Sequence, residues 1–115
     1  MTRFDDARLA ELLEVFGPED LAMVVDAFLE EAGQALAGLS DMIGAGPDQV
    51  REAQMHYLVG AARNLGAVEF GDLCKRHQLS QDVFTAEDYA QLCDVFRETS
   101  VAFAQHIDVQ VNNAA

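Results

Sequence analysis

The sequence predicts an all-α protein, an antiparallel four-helix bundle with an additional short N-terminal helix. Three observations support this fold class. Apolar residues recur at steps of three and four along most of the chain, the spacing of one helix face. Glycine, proline and capping residues divide the chain into segments of helical length. No segment alternates apolar and polar residues as a half-buried strand does, and residues 1–115 suffice for a single domain with one core.

The first half of the chain contains two predicted helices separated by Gly17. The first covers residues 5–16 and has its leucines at helical spacing. Pro18 suits the first turn of the next helix, because a backbone N–H has no helical partner at that position. This second, longer helix is predicted over residues 18–44, and the run Gly44-Ala45-Gly46-Pro47 ends it.

The second half contains three further predicted helices. One covers residues 48–65, with an aspartate as its cap and Gly66 at its end. A shorter one covers residues 68–79. The last begins at Thr85, because a threonine followed three residues later by Asp88 resembles a capping box. The predicted inward stripe of this last helix is Tyr89, Leu92, Cys93, Phe96, Val101, Phe103 and Ile107.

Composition and charge exclude several function classes. The net charge of −13 and the pI of about 4.2 oppose nucleic-acid binding, because the phosphate backbone would be repelled. The sequence has neither a membrane-spanning apolar run nor a signal-peptide pattern, so we expect a cytoplasmic protein that does not bind membranes. The acidic residues on the long helices are expected to be solvated and to keep the protein monomeric. Cys74 and Cys93 have no metal-ligand or disulfide spacing and are predicted to be buried thiols.

The basic residues are concentrated in the middle of the chain. Of seven lysines and arginines, four lie between positions 51 and 76. They are Arg51, Arg63, Lys75 and Arg76. Any anion site is therefore expected in this part of the sequence, although ordinary solvated side chains would give the same charge pattern.

One helix in this region presents residues suited to nucleophilic chemistry. His56, Gly60 and Arg63 are spaced by four and seven residues, which places them on one helix face. A neutral imidazole can attack a phosphoryl centre, and a nearby guanidinium can stabilise the charge. A glycine inside a helix costs about 1 kcal/mol relative to alanine. Its presence beside a histidine suggests a cleared path to the ring, with Tyr57 and Val59 as exposed apolar neighbours.

A longer motif surrounds this histidine. Residues 56–67 read HYLVGAARNLGA, and Leu73-Cys74 follow. This string resembles the signature of histidine phosphotransfer (HPt) domains, in which a histidine is followed by x-Leu-Lys-Gly, small residues and Asn-Leu-Gly. The resemblance covers about residues 8–107. It implies an antiparallel four-helix bundle in which the histidine lies midway along a helix.

The resemblance also implies roles for individual residues. His56 would be phosphorylated, Gly60 would keep its ring accessible, and Gly66 would be the small residue at the helix end. The family usually has lysine three residues after the histidine, where this sequence has Val59. An apolar side chain cannot neutralise a phosphoryl group. Arg63 is the possible substitute as stabiliser of the phosphoryl charge.

The function predicted by the resemblance is that of a phosphoryl carrier in a two-component phosphorelay. His56 would accept the group from the aspartyl phosphate of a receiver domain and pass it to another receiver. Such a carrier has no kinase activity and no cofactor of its own, and Mg²⁺ would belong to the partner receiver. Its partners would be response-regulator receiver domains or a hybrid histidine kinase, docking on Tyr57, Val59, Gly60 and Arg63.

Two alternatives remain open from the sequence. An HPt-like module without phosphorylation would bind a receiver or a histidine kinase and regulate it, which Val59 makes plausible. A helical-bundle metal or cofactor protein would use His56, His77 or His106, but the paired Glu-x-x-His spacing of di-iron bundles is absent. Outside that alternative, His77 and His106 are expected to be ordinary surface histidines.

Overall fold

A computed structural model describes the backbone of residues 3–114 and the side chains of residues 3–109. Within this part of the chain the protein is all-helical and has four α-helices and no strand, which confirms the predicted class. The helices are α1 (Asp6–Gly38), α2 (Gln49–Asn64), α3 (Val68–Leu79) and α4 (Ala86–Ala114), and a short 3₁₀ helix (Leu39–Met42) follows α1.

The first helix, α1, is interrupted where the sequence predicts a break. Gly17 has φ 76° and ψ 165°, values outside the helical region, and Pro18 follows it inside the helix. The predicted short N-terminal helix and the longer helix after it therefore join at a kink. The predicted end at residue 44 is late, because regular α-helix stops at Gly38 and the chain tightens into the 3₁₀ helix.

Capping side chains fix the starts of the later helices. The Asp48 carboxylate accepts a hydrogen bond from the backbone N–H of Arg51 at 2.8 Å. The Thr85 hydroxyl accepts from the backbone N–H of Asp88, and the Asp88 carboxylate accepts from that of Thr85, both at 3.0 Å. The predicted aspartate cap and the predicted capping box are both confirmed.

The core contains an aromatic cluster contributed by three helices. Phe28 of α1 lies 6.1 Å from Phe103 and 6.4 Å from Phe96, both on α4, measured between ring centroids. Phe70 of α3 lies 5.3 Å from Phe96. Cys74 is also buried and Cys93 partly so, and both thiols are free. Burial raises the pKa of the Cys74 thiol to about 12, as expected for an inert core cysteine.

The inward stripe of α4 differs from the prediction at one position. Val101 is 51% exposed, whereas Thr99 is completely buried. The Thr99 hydroxyl donates to the Val95 carbonyl at 2.7 Å, so its polar atom is satisfied within the helix. Helical register from Leu92 to Phe103 places position 99 inward and position 101 outward.

Hydrogen bonds hold the α2–α3 pair at both of its ends. At the turn between them, the Asp5 N–H donates to the Gly66 carbonyl at 2.8 Å, and Arg8 Nε donates to the Asn64 carbonyl at 2.9 Å. At the other end, two hydrogen bonds join the loop before α2 to the loop after α3: Gly44 N–H to the Phe84 carbonyl, and Phe84 N–H to the Ala45 carbonyl.

No helix among the described residues has the length and apolar character needed to cross a bilayer.

Candidate functional site

His56 lies midway along α2 with its side chain exposed. Its Nδ1 atom lies 3.2 Å from the amide nitrogen of Gln78 on α3. A shallow depression beside the ring is lined by Gln49, Glu52 and Ala53 together with these two residues. Because the contact with α3 uses Nδ1, Nε2 is the ring nitrogen available to a second molecule.

Sequence reasoning missed Gln78, although a signal for it exists. His56 and Gln78 are each 11 residues from Ala67, in the turn between α2 and α3. Arg63 and Asp72 form an ion pair, and they too lie at nearly equal distances along the sequence from Ala67. Two helices that run in opposite directions from a short turn bring such equidistant residues together. Applying this rule to the sequence would have pointed to Gln78.

Lys75, also on α3, contacts the same glutamine. Its Nζ lies 3.4 Å from Gln78 Oε1, and both side chains are half-buried. The predicted basic region thus contributes a cation that is linked to His56 through the Gln78 amide, and this cation comes from α3 rather than from α2. No charge pattern in the sequence singled out Lys75 from its basic neighbours.

Gly60 and Tyr57 lie on the exposed surface of α2 near His56. A Cβ atom at position 60 would meet nothing within 4 Å, so the surface there is open. Tyr57 is 41% exposed, and its hydroxyl donates to the Glu31 carboxylate of α1 at 3.2 Å. Partial burial, reinforced by the Glu31 hydrogen bond and charge, raises the pKa of the Tyr57 phenol.

The expectation that Val59 is exposed is wrong. Its side chain is only 5% exposed and belongs to the hydrophobic core. The buried set of α2 includes Met55, Leu58, Val59 and Ala62, which is the three- and four-residue spacing of an inward helix face. Val59 therefore contributes to packing, and its side chain is not part of the surface around His56.

Arg63 is exposed on α2 and pairs with Asp72 of α3. Its guanidinium lies 4.0 Å from the carboxylate of Asp72, which also pairs with Arg3 at 3.3 Å. Seven residues separate Arg63 from His56, which corresponds to about 10 Å along a helix axis. The shared direction of the two side chains does not bring them into contact. A role for Arg63 in stabilising a phosphoryl group stays a prediction.

Arg51 is one of the four basic residues in the region where an anion site is expected, but it is buried. It is only 3% exposed, and its guanidinium donates to the carbonyls of Ser80 at 2.8 Å and Asp82 at 3.0 Å. These carbonyls lie just beyond the end of α3, where no helical N–H is available to them. Arg51 therefore fastens the start of α2 to the end of α3 instead of facing an anion.

His77 and His106 are not ordinary surface residues. Each side chain is partly buried, and in each the Nε2 atom is fully buried and has no hydrogen-bond partner among the described residues. His77 packs edge-on against Phe84, with ring centroids 5.7 Å apart. Among the described residues, no group of three or more His, Cys, Asp or Glu side chains is arranged to hold a metal ion.

The burial of His77 predicts a loss of stability in mild acid. Burial lowers the pKa of His77, an effect that Asp88 opposes and that Arg76 and Arg51 reinforce. The unfolded chain, with an ordinary histidine pKa of about 6.5, therefore binds more protons than the folded one as the pH falls. The folded state therefore loses stability as the pH falls below about 6.5. We expect urea unfolding midpoints of His77→Gln to change less than those of the wild type between about pH 7.5 and 5.5. Equal changes in both proteins would contradict this.

Comparisons of the chain with protein-family models, curated proteins and solved structures found no match. The chemistry available at the site is that of its own residues. They provide an exposed imidazole with one nitrogen held by an amide, an open surface one helical turn away, and a cation on the facing helix.

Proposed function

We propose that this protein is a histidine phosphotransfer protein of a two-component phosphorelay, with His56 as the phosphorylated residue. The observation that supports this best is the geometry of the His56 ring. The imidazole is exposed midway along α2, and its contact with Gln78 engages Nδ1 and leaves Nε2 to a partner. The adjacent open surface at Gly60 fits the approach of a second protein.

The proposed reaction is a direct transfer between two side chains. In the ring tautomer that has its proton on Nδ1, the lone pair of His56 Nε2 attacks the phosphorus of an aspartyl phosphate on a receiver domain. The bond from phosphorus to the aspartate oxygen breaks, and its electron pair leaves with the carboxylate. The proton that the neutral imidazole held is released to water. Reversing these steps on a second receiver regenerates the free histidine, so the protein acts as a carrier, with Mg²⁺ held by the receiver.

The surface proposed for the receiver is centred on α2. It includes Tyr57, Gly60 and Arg63 around the histidine, and it omits Val59 because that side chain is buried. We further propose that α1 beyond Gly17, α2, α3 and α4 form an antiparallel four-helix bundle, with residues 6–16 as the additional N-terminal helix. Support comes from the core contacts among α1, α3 and α4 and from the opposite directions of α2 and α3.

Phosphotransfer assays test this function directly. Receivers from the same organism, labelled on their aspartates, are mixed with wild type, His56→Gln and His106→Gln, and the acid-labile label on each is followed. We expect label on wild type and on His106→Gln, and none on His56→Gln. Phosphoramidate, a small phosphoryl donor, checks without a partner that the imidazole is reactive. Label retained by His56→Gln would contradict the proposal.

A second candidate function is a docking module that binds a receiver or histidine kinase without being phosphorylated. Two observations favour it: position 59 is a buried valine where the family has lysine, and Arg63 pairs with Asp72. The same assay separates the two functions. Measurable receiver binding without label from any receiver or from phosphoramidate would support the docking module.

A further inference from the structure

The depression beside His56 extends towards the start of α2. It has a volume of about 360 Å³, and Gln49, Glu52 and Gln78 are among its lining residues. A second hollow, of about 270 Å³, shares these three residues and reaches the loops before α2 and after α3. The two hollows form one groove that opens beside the imidazole, and we call it the α2–α3 groove.

One carboxylate of the α2–α3 groove has no partner among the described residues. Glu52 lies four residues before His56, one helical turn away on the same exposed face of α2. Its side chain forms no hydrogen bond or ion pair within the part of the chain that the structure describes. Asp48, another acid of the groove, instead accepts the hydrogen bond that caps α2. Glu52 therefore gives the groove a negative charge that is available to a second molecule.

Basic side chains next to the α2–α3 groove have other partners. Arg51 is buried, and its guanidinium donates to two loop carbonyls. Lys75 lies 3.4 Å from the side-chain oxygen of Gln78. Neither cation forms an ion pair with Glu52. The positive charge that would complement Glu52 must therefore come from outside this pair of helices.

A second carboxylate lies on the α1 side of the histidine. The Glu31 carboxylate accepts a hydrogen bond from the Tyr57 hydroxyl at 3.2 Å. A phenol is a neutral donor, so this contact leaves the negative charge of Glu31 in place. The surface around His56 is consequently acidic on two sides, in a protein with a net charge of −13. A basic partner surface complements it, whereas an acidic one would be repelled.

We propose that the α2–α3 groove receives a lysine or arginine side chain of the receiver, and that Glu52 pairs with this side chain and determines which receivers dock. The inference rests on the proposed function, because it names the recognition chemistry of the same site. It adds to the docking surface a residue on the side of His56 opposite to Gly60.

The groove suits such a side chain in its chemistry. Glu52 offers carboxylate oxygens and Gln49 an amide oxygen, and both groups accept hydrogen bonds from an ammonium or guanidinium. Two helices flank the pair, so solvent screens it less than an ion pair on an open helix surface. The cation would also offset the repulsion between Glu52 and a phosphoryl group that arrives at His56 one turn away.

The first test measures the Kd of receivers from the same organism by isothermal titration calorimetry. Glu52→Gln removes the charge and keeps the size of the side chain, and we expect it to raise the Kd about tenfold. Glu14→Gln is the matched control, because it makes the same change at an exposed glutamate outside the groove. We expect it to change the Kd less than about twofold. Equal weakening in both variants would mean that only net charge matters and would contradict the inference.

The second test exchanges the charges of the pair. Glu52→Lys places like charges in contact, so we expect it to weaken binding more than Glu52→Gln does. The lysines and arginines around the phosphorylated aspartate of that receiver are then changed to glutamate one at a time. One of these receiver variants should bind Glu52→Lys about tenfold more tightly than the unchanged receiver does. The inference fails if none of them restores binding.

Phosphoramidate separates docking from a direct effect on the histidine. Labelling by this small donor involves no receiver, so Glu52→Gln is expected to take label at least as fast as the wild type. Slower labelling of Glu52→Gln would show that the carboxylate acts on the imidazole itself, which would overturn its assignment as a docking residue.

These measurements distinguish failure of the inference from failure of the proposed function. If the wild type takes no label from receivers or from phosphoramidate, the proposed phosphotransfer is wrong, while the Kd values of receivers that bind still decide the role of Glu52. If the wild type is labelled but Glu52→Gln binds receivers equally well, the function stands and the inference fails. A wild type that binds no receiver would overturn both.

Discussion

Phe103→Ala is expected to lower the free energy of unfolding by about 4 kcal/mol, the largest change from a single substitution that we anticipate. Phe103 is only 1% exposed. Its ring centroid lies 4.8 Å from that of Phe4 and 6.1 Å from that of Phe28, both in edge-to-face arrangements. Truncation removes these contacts and leaves a cavity between α4, α1 and the segment before α1. Urea unfolding followed by circular dichroism measures the change.

Val101→Ala is the matched control, because it shortens an apolar side chain two residues away on the same helix. Val101 is 51% exposed, and we expect its truncation to change the free energy of unfolding by less than about 0.5 kcal/mol. Comparable losses for the two variants would mean that α4 is rotated relative to the core from the orientation described above.

Arg51→Ala is expected to lower the free energy of unfolding by about 3 kcal/mol, a large effect for a charged residue. The guanidinium is the hydrogen-bond donor to two backbone carbonyls, of Ser80 and Asp82. The Arg51→Ala substitution removes the charged donor to both carbonyls. Loss of the hydrogen-bond donor to a buried or partly buried carbonyl lowers the free energy of unfolding. The link between the start of α2 and the end of α3 is lost as well. The same urea unfolding experiment measures the effect.

Two further variants show whether this loss is specific. Arg97, on α4, is exposed and pairs with Asp94 in the preceding turn, so Arg97→Ala is expected to change stability by less than about 0.5 kcal/mol. Arg51→Lys keeps the charge but not the planar fork that reaches two carbonyls, so we expect it to restore only part of the loss. Full restoration by lysine would show that charge, rather than hydrogen-bond geometry, accounts for the effect.

Helix boundaries were predictable wherever a local chemical feature determines them. The break at Gly17, the Asp48 cap and the reciprocal Thr85–Asp88 pair each involve residues within three positions of one another, so the sequence contains all their partners. The end of α1 was harder to predict. The apolar spacing continues beyond Gly38, and the change to a 3₁₀ helix involves no capping residue that a sequence pattern would reveal.

Burial was less predictable, because it depends on which face of each helix meets another helix. Val59 and Thr99 are inward, whereas Val101 is outward, contrary to a prediction based on residue type and approximate spacing. Arg51 is the extreme case, since its carbonyl partners come from a loop about 30 residues later in the chain. Only tertiary packing can show that an arginine near the start of a helix is a structural residue.

The residues that α2 contributes to the candidate site were predictable, whereas those that α3 contributes were not. Helical spacing was enough to place His56 and Gly60 on one face of α2. Gln78 and Lys75 belong to α3, and their contacts depend on how the two helices pair around the turn. Helical spacing therefore pointed to the proposed acceptor for the phosphoryl group but not to the α3 side chains that contact it or each other.

Fastening the α2–α3 pair at both ends has a consequence for recognition. The contacts from Asp5 and Arg8 at one end, and those around Arg51 and Phe84 at the other, hold the two helices on either side of His56. A partner would meet a preorganised surface, and little conformational entropy would be lost from this backbone on association. Specificity between competing partners would then depend on their own shape and charge, because this surface presents the same backbone arrangement to each of them.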